Sequence, residues 1–140
     1  MLVGVVLAAG SLVAVGVAPT GALTTITVTS NADSLGVCPG PTCTLRQALL
    51  DAAIASASDD VAIVIQAGVG TIAPAMDLPF FPALGSHALT IRGNGATIQY
   101  ISGLGLINFS SLGLLTVDGL TFSGGNNSAL GGGALQGLVR

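Results

Sequence analysis

The feature that most constrains this chain is a pattern it states twice. Leu89-Thr90-Ile91-Arg92-Gly93-Asn94-Gly95-Ala96-Thr97-Ile98 is echoed by Leu115-Thr116-Val117-Asp118-Gly119-Leu120-Thr121-Phe122. Leu89 and Leu115 are 26 residues apart, and Ile98 and Phe122 are 24 apart. A unit of this length cannot bury its apolar face alone and must stack on the next unit. Each copy contains two short β-branched runs around a Gly/Asn turn and no helical pattern. The glycines and β-branched residues exclude a helical repeat. The expected fold is therefore all-β, a right-handed parallel β-helix, in which each strand pairs with its equivalent one turn later and inward residues stack on their own kind. An antiparallel sandwich is the alternative, because short strands with frequent turns suit it too.

Composition points the same way. Hydrophobic residues make up 51% of the 140-residue chain and glycine contributes 21 positions, yet only 6% of residues are charged. An ordinary globular domain carries about 25% charged residues. The solvent face must be wetted by Thr, Ser, Asn and backbone groups instead. There is no Lys, and the three cations Arg46, Arg92 and Arg140 are dispersed in a chain of net charge −3. Nucleic acid is excluded as a partner, since phosphate binding depends on clustered cations.

Thr24-Thr25-Ile26-Thr27-Val28-Thr29-Ser30 alternates apolar residues with threonine, the signature of a half-buried strand. The period then changes. Thr44-Leu45-Arg46-Gln47 forms a capping box: the Thr44 hydroxyl faces the N–H near Gln47, and the Gln47 side chain can reach back. Leu45, Ala48, Leu49, Ala52 and Ala53 follow at helical spacing, predicting one amphipathic helix over 45–57 that caps the stack. After the polar Asp59-Asp60, short strands are expected at 61–65, 70–72, 88–92, 96–100, 105–109, 114–117 and 120–122, with a loop over 77–84 that carries Pro79 and Pro82. The division that results is a leader over 1–22, a strand, cysteine loop and capping helix over 23–60, and repeats over 61–140.

Cys38 and Cys43 flank Pro-Gly-Pro-Thr. Zinc wants four ligands, and His87 is the only histidine. A redox pair normally has two intervening residues ahead of a helix. The expectation is a structural disulfide closing a Pro-Gly turn, a bond that persists in oxidising compartments. The N-terminus agrees with such a destination. Its first 18 residues contain no charge, Pro19-Thr20-Gly21-Ala22 breaks the run, and small residues suit cleavage after Ala22 or after Ala18. No cation precedes the apolar run, so an uncleaved membrane anchor and a buried strand pair stay open beside the signal peptide.

Ile26-Thr27-Val28-Thr29-Ser30-Asn31-Ala32-Asp33-Ser34, followed by Cys43-Thr44-Leu45-Arg46-Gln47-Ala48-Leu49, resembles the N-terminal domain named for its Cys-Ser-Leu-Arg-Glu-Ala motif. The likeness continues through Leu89–Gly95 and Val117–Gly125 to the triple glycine at 131–133, so it covers most of the chain after the leader. Thr44 replaces Ser and Gln47 replaces Glu, both of which preserve capping chemistry. The resemblance implies a secreted or surface-attached bacterial protein of the polymorphic outer-membrane-protein-like or adhesin-like kind, with a parallel β-helix fold. It implies a structural or adhesive role, with surface glycans or other host- or cell-surface components as partners.

The carboxylates are Asp33, Asp51, Asp59, Asp60, Asp77 and Asp118, with no Glu. A paired-carboxylate glycosidase needs two acids held at a fixed separation, and nothing in this spacing sets one up. Arg46 is expected to reach from the helix to carbonyls or to an Asp at the end of the stack. Asp51 is expected on the outer helix face, and His87 in a loop with no acidic neighbour in sequence. No catalytic residue, metal ligand or cofactor is expected. The alternative is the N-terminal part of a polysaccharide lyase or glycoside hydrolase whose catalytic turns lie beyond Arg140. The chain stops just after a repeat signal, and an open C-terminal turn invites self-association, so either it is a fragment of a longer surface protein or the open end binds something.

Overall fold

The computed structural model describes residues 22–78, 87–100, 107–109, 114–124 and 135–137. The expected leader apart from its last residue, the expected loop from residue 79 on and the glycine run at 131–133 lie outside the described residues. The elements in chain order are β1 (Leu23–Val28), α1 (Leu45–Ala55), β2 (Asp60–Ile65), β3 (Thr71–Ile72), β4 (Leu89–Arg92), β5 (Thr97–Tyr100), β6 (Ile107–Phe109), β7 (Leu115–Asp118), β8 (Thr121–Gly124) and β9 (Leu135–Gly137).

Every strand pair is parallel. One sheet runs β1-β2-β4-β7, a second runs β3-β5-β8, and β6 pairs with β9. The repeat in the sequence becomes a register in space. Thr24, Val61, Leu89 and Leu115 fall in one row, and Ile26, Ile63, Ile91 and Val117 in another. Because side chains alternate across a strand with a period of two, both rows face inward. Val61, Leu89, Ile63 and Ile91 are fully buried there. Ile72, Ile98 and Tyr100 of the second sheet join the same core.

This architecture corrects the expectation of an all-β, right-handed parallel β-helix. The described strands form open parallel sheets beside an α-helix, and no sheet closes into a coil. The reason lies in what a repeat can dictate. A period of about 25 residues requires each strand to pair in parallel with its equivalent, a condition that stacked open sheets also meet. The helix, moreover, is part of the core: Leu45, Ala48, Leu49 and Ala52 are buried in it. The antiparallel sandwich is likewise excluded by the parallel pairing.

The turn between β4 and β5 shows why Gly93-Asn94-Gly95 stands where it does. Asn94 adopts the left-handed conformation, φ 47°, and its side-chain amide donates to the Ile65 carbonyl at 2.8 Å. Asn tolerates that conformation better than most residues. Gly93 packs on the next layer, where a Cβ would lie 2.6 Å from Leu120 Cα. The turns are thus stacked as closely as the strands.

Candidate functional site

The polar chemistry of the described residues gathers at the N-terminal end, around the cysteine loop, β1 and α1. Cys38 and Cys43 form the disulfide, with their Cα atoms 4.7 Å apart. The loop is stitched to the end of β1. The Cys43 carbonyl accepts the N–H groups of Thr29 and Ser30 at 2.9 and 3.1 Å, and the Thr29 hydroxyl donates to the Gly40 carbonyl at 2.7 Å. Ser30 and Thr44 then form an isolated parallel bridge. The chain-entropy model assigns roughly 2 kcal/mol to closing so short a loop.

The bridge delivers Thr44 to the helix N-cap in extended conformation. Its hydroxyl accepts the Gln47 N–H at 3.2 Å and donates to the Ser34 carbonyl at 2.7 Å. One buried hydroxyl therefore starts α1 and holds the 31–36 turn. The Gln47 side chain does not reach back; its amide donates to Asp51 one turn later, at 2.8 Å. The i, i+4 partner on the helix surface outcompetes the reciprocal half of the capping box. α1 ends at Ala55 with Ser56 as C-cap, two residues short of the expected 57. The side chains of Leu45, Ala48, Leu49 and Ala52 are buried, while Ala53 packs half-buried at the edge of the core.

Arg46 is the hub of this end. Its Nε and one terminal nitrogen donate to the two oxygens of Asp33 at 2.8 and 3.1 Å. The same guanidinium donates to the carbonyls of Asp77 at 2.7 Å and Met76 at 3.0 Å. Asp33 also accepts the Ala75 N–H at 2.7 Å. The planar fork of Arg is suited to this, since a single point charge could not serve carboxylate and carbonyls together. Helix, turn and the distant 75–77 segment are tied at one point.

Burial by itself would raise the Asp33 pKa. The hydrogen bond from Arg46, the N–H of Ala75, the Arg46 charge and the N–H of Met76 outweigh it and hold the carboxyl below its ordinary value. Burial, reinforced by the nearby Asp77 charge, pushes the Tyr100 phenol above its own. A folded pKa below the unfolded one means that the fold prefers the ionised form. The stabilisation from Asp33 is complete above the unfolded value of about 4 and is lost as pH falls through the folded value. Urea midpoints measured at stepped pH are therefore expected to drop below about pH 4. Arg46→Met should show a shallower drop over the same window.

The remaining acids are scattered. Asp60 accepts the Ala88 N–H at 2.9 Å and faces His87 Nδ1 at 3.5 Å, a partner 27 residues away that the sequence does not reveal. Asp59 accepts from the Thr24 hydroxyl at 3.4 Å. Asp118 is exposed and lies in register with Arg92 across the β4–β7 pair. No group of three or more His, Cys, Asp or Glu among the described residues could hold a metal ion. No helix of the described residues is long and apolar enough to cross a membrane.

One concavity adjoins this end. A mostly apolar groove of about 310 Å³ runs between β1, α1 and the disulfide loop, walled by Thr25, Ile26, Cys38, Pro39, Asp51 and Ala55. Set against known proteins, the chain matches no family model, no curated protein and no solved structure.

Proposed function

We propose that the chain is an exported, non-catalytic structural or adhesive module. The observation that carries the reading is the Cys38–Cys43 disulfide, a bond that is rare in reducing compartments. The apolar leader ahead of β1 and the resemblance to the Cys-Ser-Leu-Arg-Glu-Ala domain support the same destination. The structural role is supported by where the polar groups are spent. Arg46, Asp33 and Thr44 direct their hydrogen bonds at backbone and at one another, joining segments up to 42 residues apart.

Expression of the whole chain in a bacterial host tests both halves. The protein is expected outside the cytoplasm, beginning at Leu23, or at Pro19 if the earlier cleavage site is used. Alkylation without reductant should add no mass. Recovery of intact Met1 from membranes would favour an uncleaved anchor over the signal peptide, and two alkylated cysteines would overturn export. Release of unsaturated or reducing ends from an acidic polysaccharide would sink the non-catalytic part.

A further inference from the structure

In a parallel pair the N–H and C=O of one residue point toward the same neighbour, and successive residues alternate between neighbours. The Val28 carbonyl accepts the Gln66 N–H on the β2 side. Ile26 and Thr24 therefore also turn their backbone groups to β2, whereas Thr25 and Thr27 turn theirs outward. β1 is the edge of its sheet. That edge is occupied at its far end, where Thr29 donates to the Cys43 carbonyl and Ser30 bridges Thr44. The disulfide turn carries the chain away from there. It leaves the edge beside Thr25 and Thr27 without a backbone partner among the described residues.

Edges of this kind are usually blunted by Lys, Pro, a bulge or a covering loop. Leu23-Thr24-Thr25-Ile26-Thr27-Val28 has no Lys, no Pro and no charge. The groove described above adjoins this open stretch at Thr25. Its walls are apolar apart from the threonines and a single carboxylate, Asp51. One oxygen of Asp51 accepts from Gln47. Of the two arginines in the described residues, Arg46 is committed to Asp33 and Arg92 stands on β4, so none of the described cations faces Asp51, and the groove carries an acidic charge.

We infer that the β1 edge binds an extended peptide strand of another polypeptide, apolar on one face and carrying one Lys or Arg opposite Asp51. Strand addition supplies main-chain hydrogen bonds, and a pocket beside the edge supplies selectivity. The groove volume lies at the lower end of the range for small-ligand pockets, room for the side chains of one strand. The inference goes beyond the proposed role and stands whether or not the chain is exported.

The test is a fluorescence anisotropy titration of the full chain with labelled acetyl-Thr-Val-Thr-Lys-Thr-Val-Thr-amide, whose alternation puts Val, Lys and Val together on the face toward the groove. Saturable binding is expected. Asp51→Asn should weaken it about tenfold, the size of a hydrogen bond to a charged group, and should not affect a peptide with norleucine for Lys. Thr25→Pro removes the outward N–H at a position whose N–H bonds no other described residue, and should abolish binding of both peptides while the thermal unfolding midpoint holds. If that variant fails to fold, the parent protein with a peptide N-methylated at alternate amides decides the question instead, because the methyls remove the pairing donors. No saturable binding to the parent, equal binding of the N-methylated peptide, or indifference to Asp51→Asn overturns the inference. A concentration-dependent dimer in sedimentation that Thr25→Pro dissolves would assign the edge to a second copy and overturn the peptide partner.

Discussion

Replacing Leu49 with Asp is expected to leave the protein insoluble or open to protease. Leu49 is fully buried against the N-terminal layer, one helical turn from the equally buried Leu45. The described cation at this end, Arg46, is already held by Asp33 and two carbonyls, so nothing nearby would neutralise a new carboxylate. An unpaired buried charge costs several kcal/mol, and the lost Leu packing adds about 2–5 kcal/mol. Together these approach the roughly 5–15 kcal/mol of net stability of a typical domain. Asp51→Asn, four positions from Gln47 on the half-exposed face, should leave protease resistance at the parent level. Limited proteolysis of the two variants beside the parent decides it. Equal resistance of all three would mean that α1 does not seal the core.

The second large effect is expected at Arg46. The pair with Asp33 is largely withdrawn from water, with side-chain exposures of 12% and 10%. Removing one partner of a buried pair costs about 3–5 kcal/mol, because the other charge is stranded. Here two carbonyls lose their donor as well. Arg46→Ala should therefore lower the thermal midpoint by about 10 °C or more. Arg46→Lys should recover only part of the loss, since an ammonium cannot span the carboxylate and both carbonyls. Replacing Arg46 and Asp33 together by apolar residues should cost less than Arg46→Ala alone. If the double variant were the worse, the pair would be stabilising in its own right and the stranded charge would not explain the loss.

The legible part of the molecule is whatever follows from local period. Thr/Ile/Val alternation marked β1, and the echo between Leu89 and Leu115 anticipated their shared register. Helical spacing after Thr44 marked α1, and the disulfide followed from two cysteines around a Pro-Gly turn. The fold class did not follow. A repeat specifies what each strand pairs with, while the path of the chain between pairings decides whether sheets close, and that path is set by loops whose sequences have no period. The same limit applies to the polar contacts. Arg46 could be expected to seek an Asp or carbonyls, but its meeting with Asp33, Met76 and Asp77 requires three distant segments to converge. His87 gained its acid, Asp60, only because β2 and β4 lie side by side. The β1 groove is illegible for another reason: an unpaired edge is a property of what fails to arrive.

The row Ile26, Ile63, Ile91, Val117 also carries a kinetic consequence. Its members are separated by 37, 28 and 26 residues, so each strand meets its partner after a similar length of chain. Loop-closure entropy grows as about 1.5RT ln n, and the longest and shortest of these closures differ by only about 0.3 kcal/mol. No pairing in this row waits for the far terminus. The layers can form one after another as the chain emerges, each finished layer serving as the template for the next, with folding time growing by addition of strands to the sheet rather than by search over the whole length.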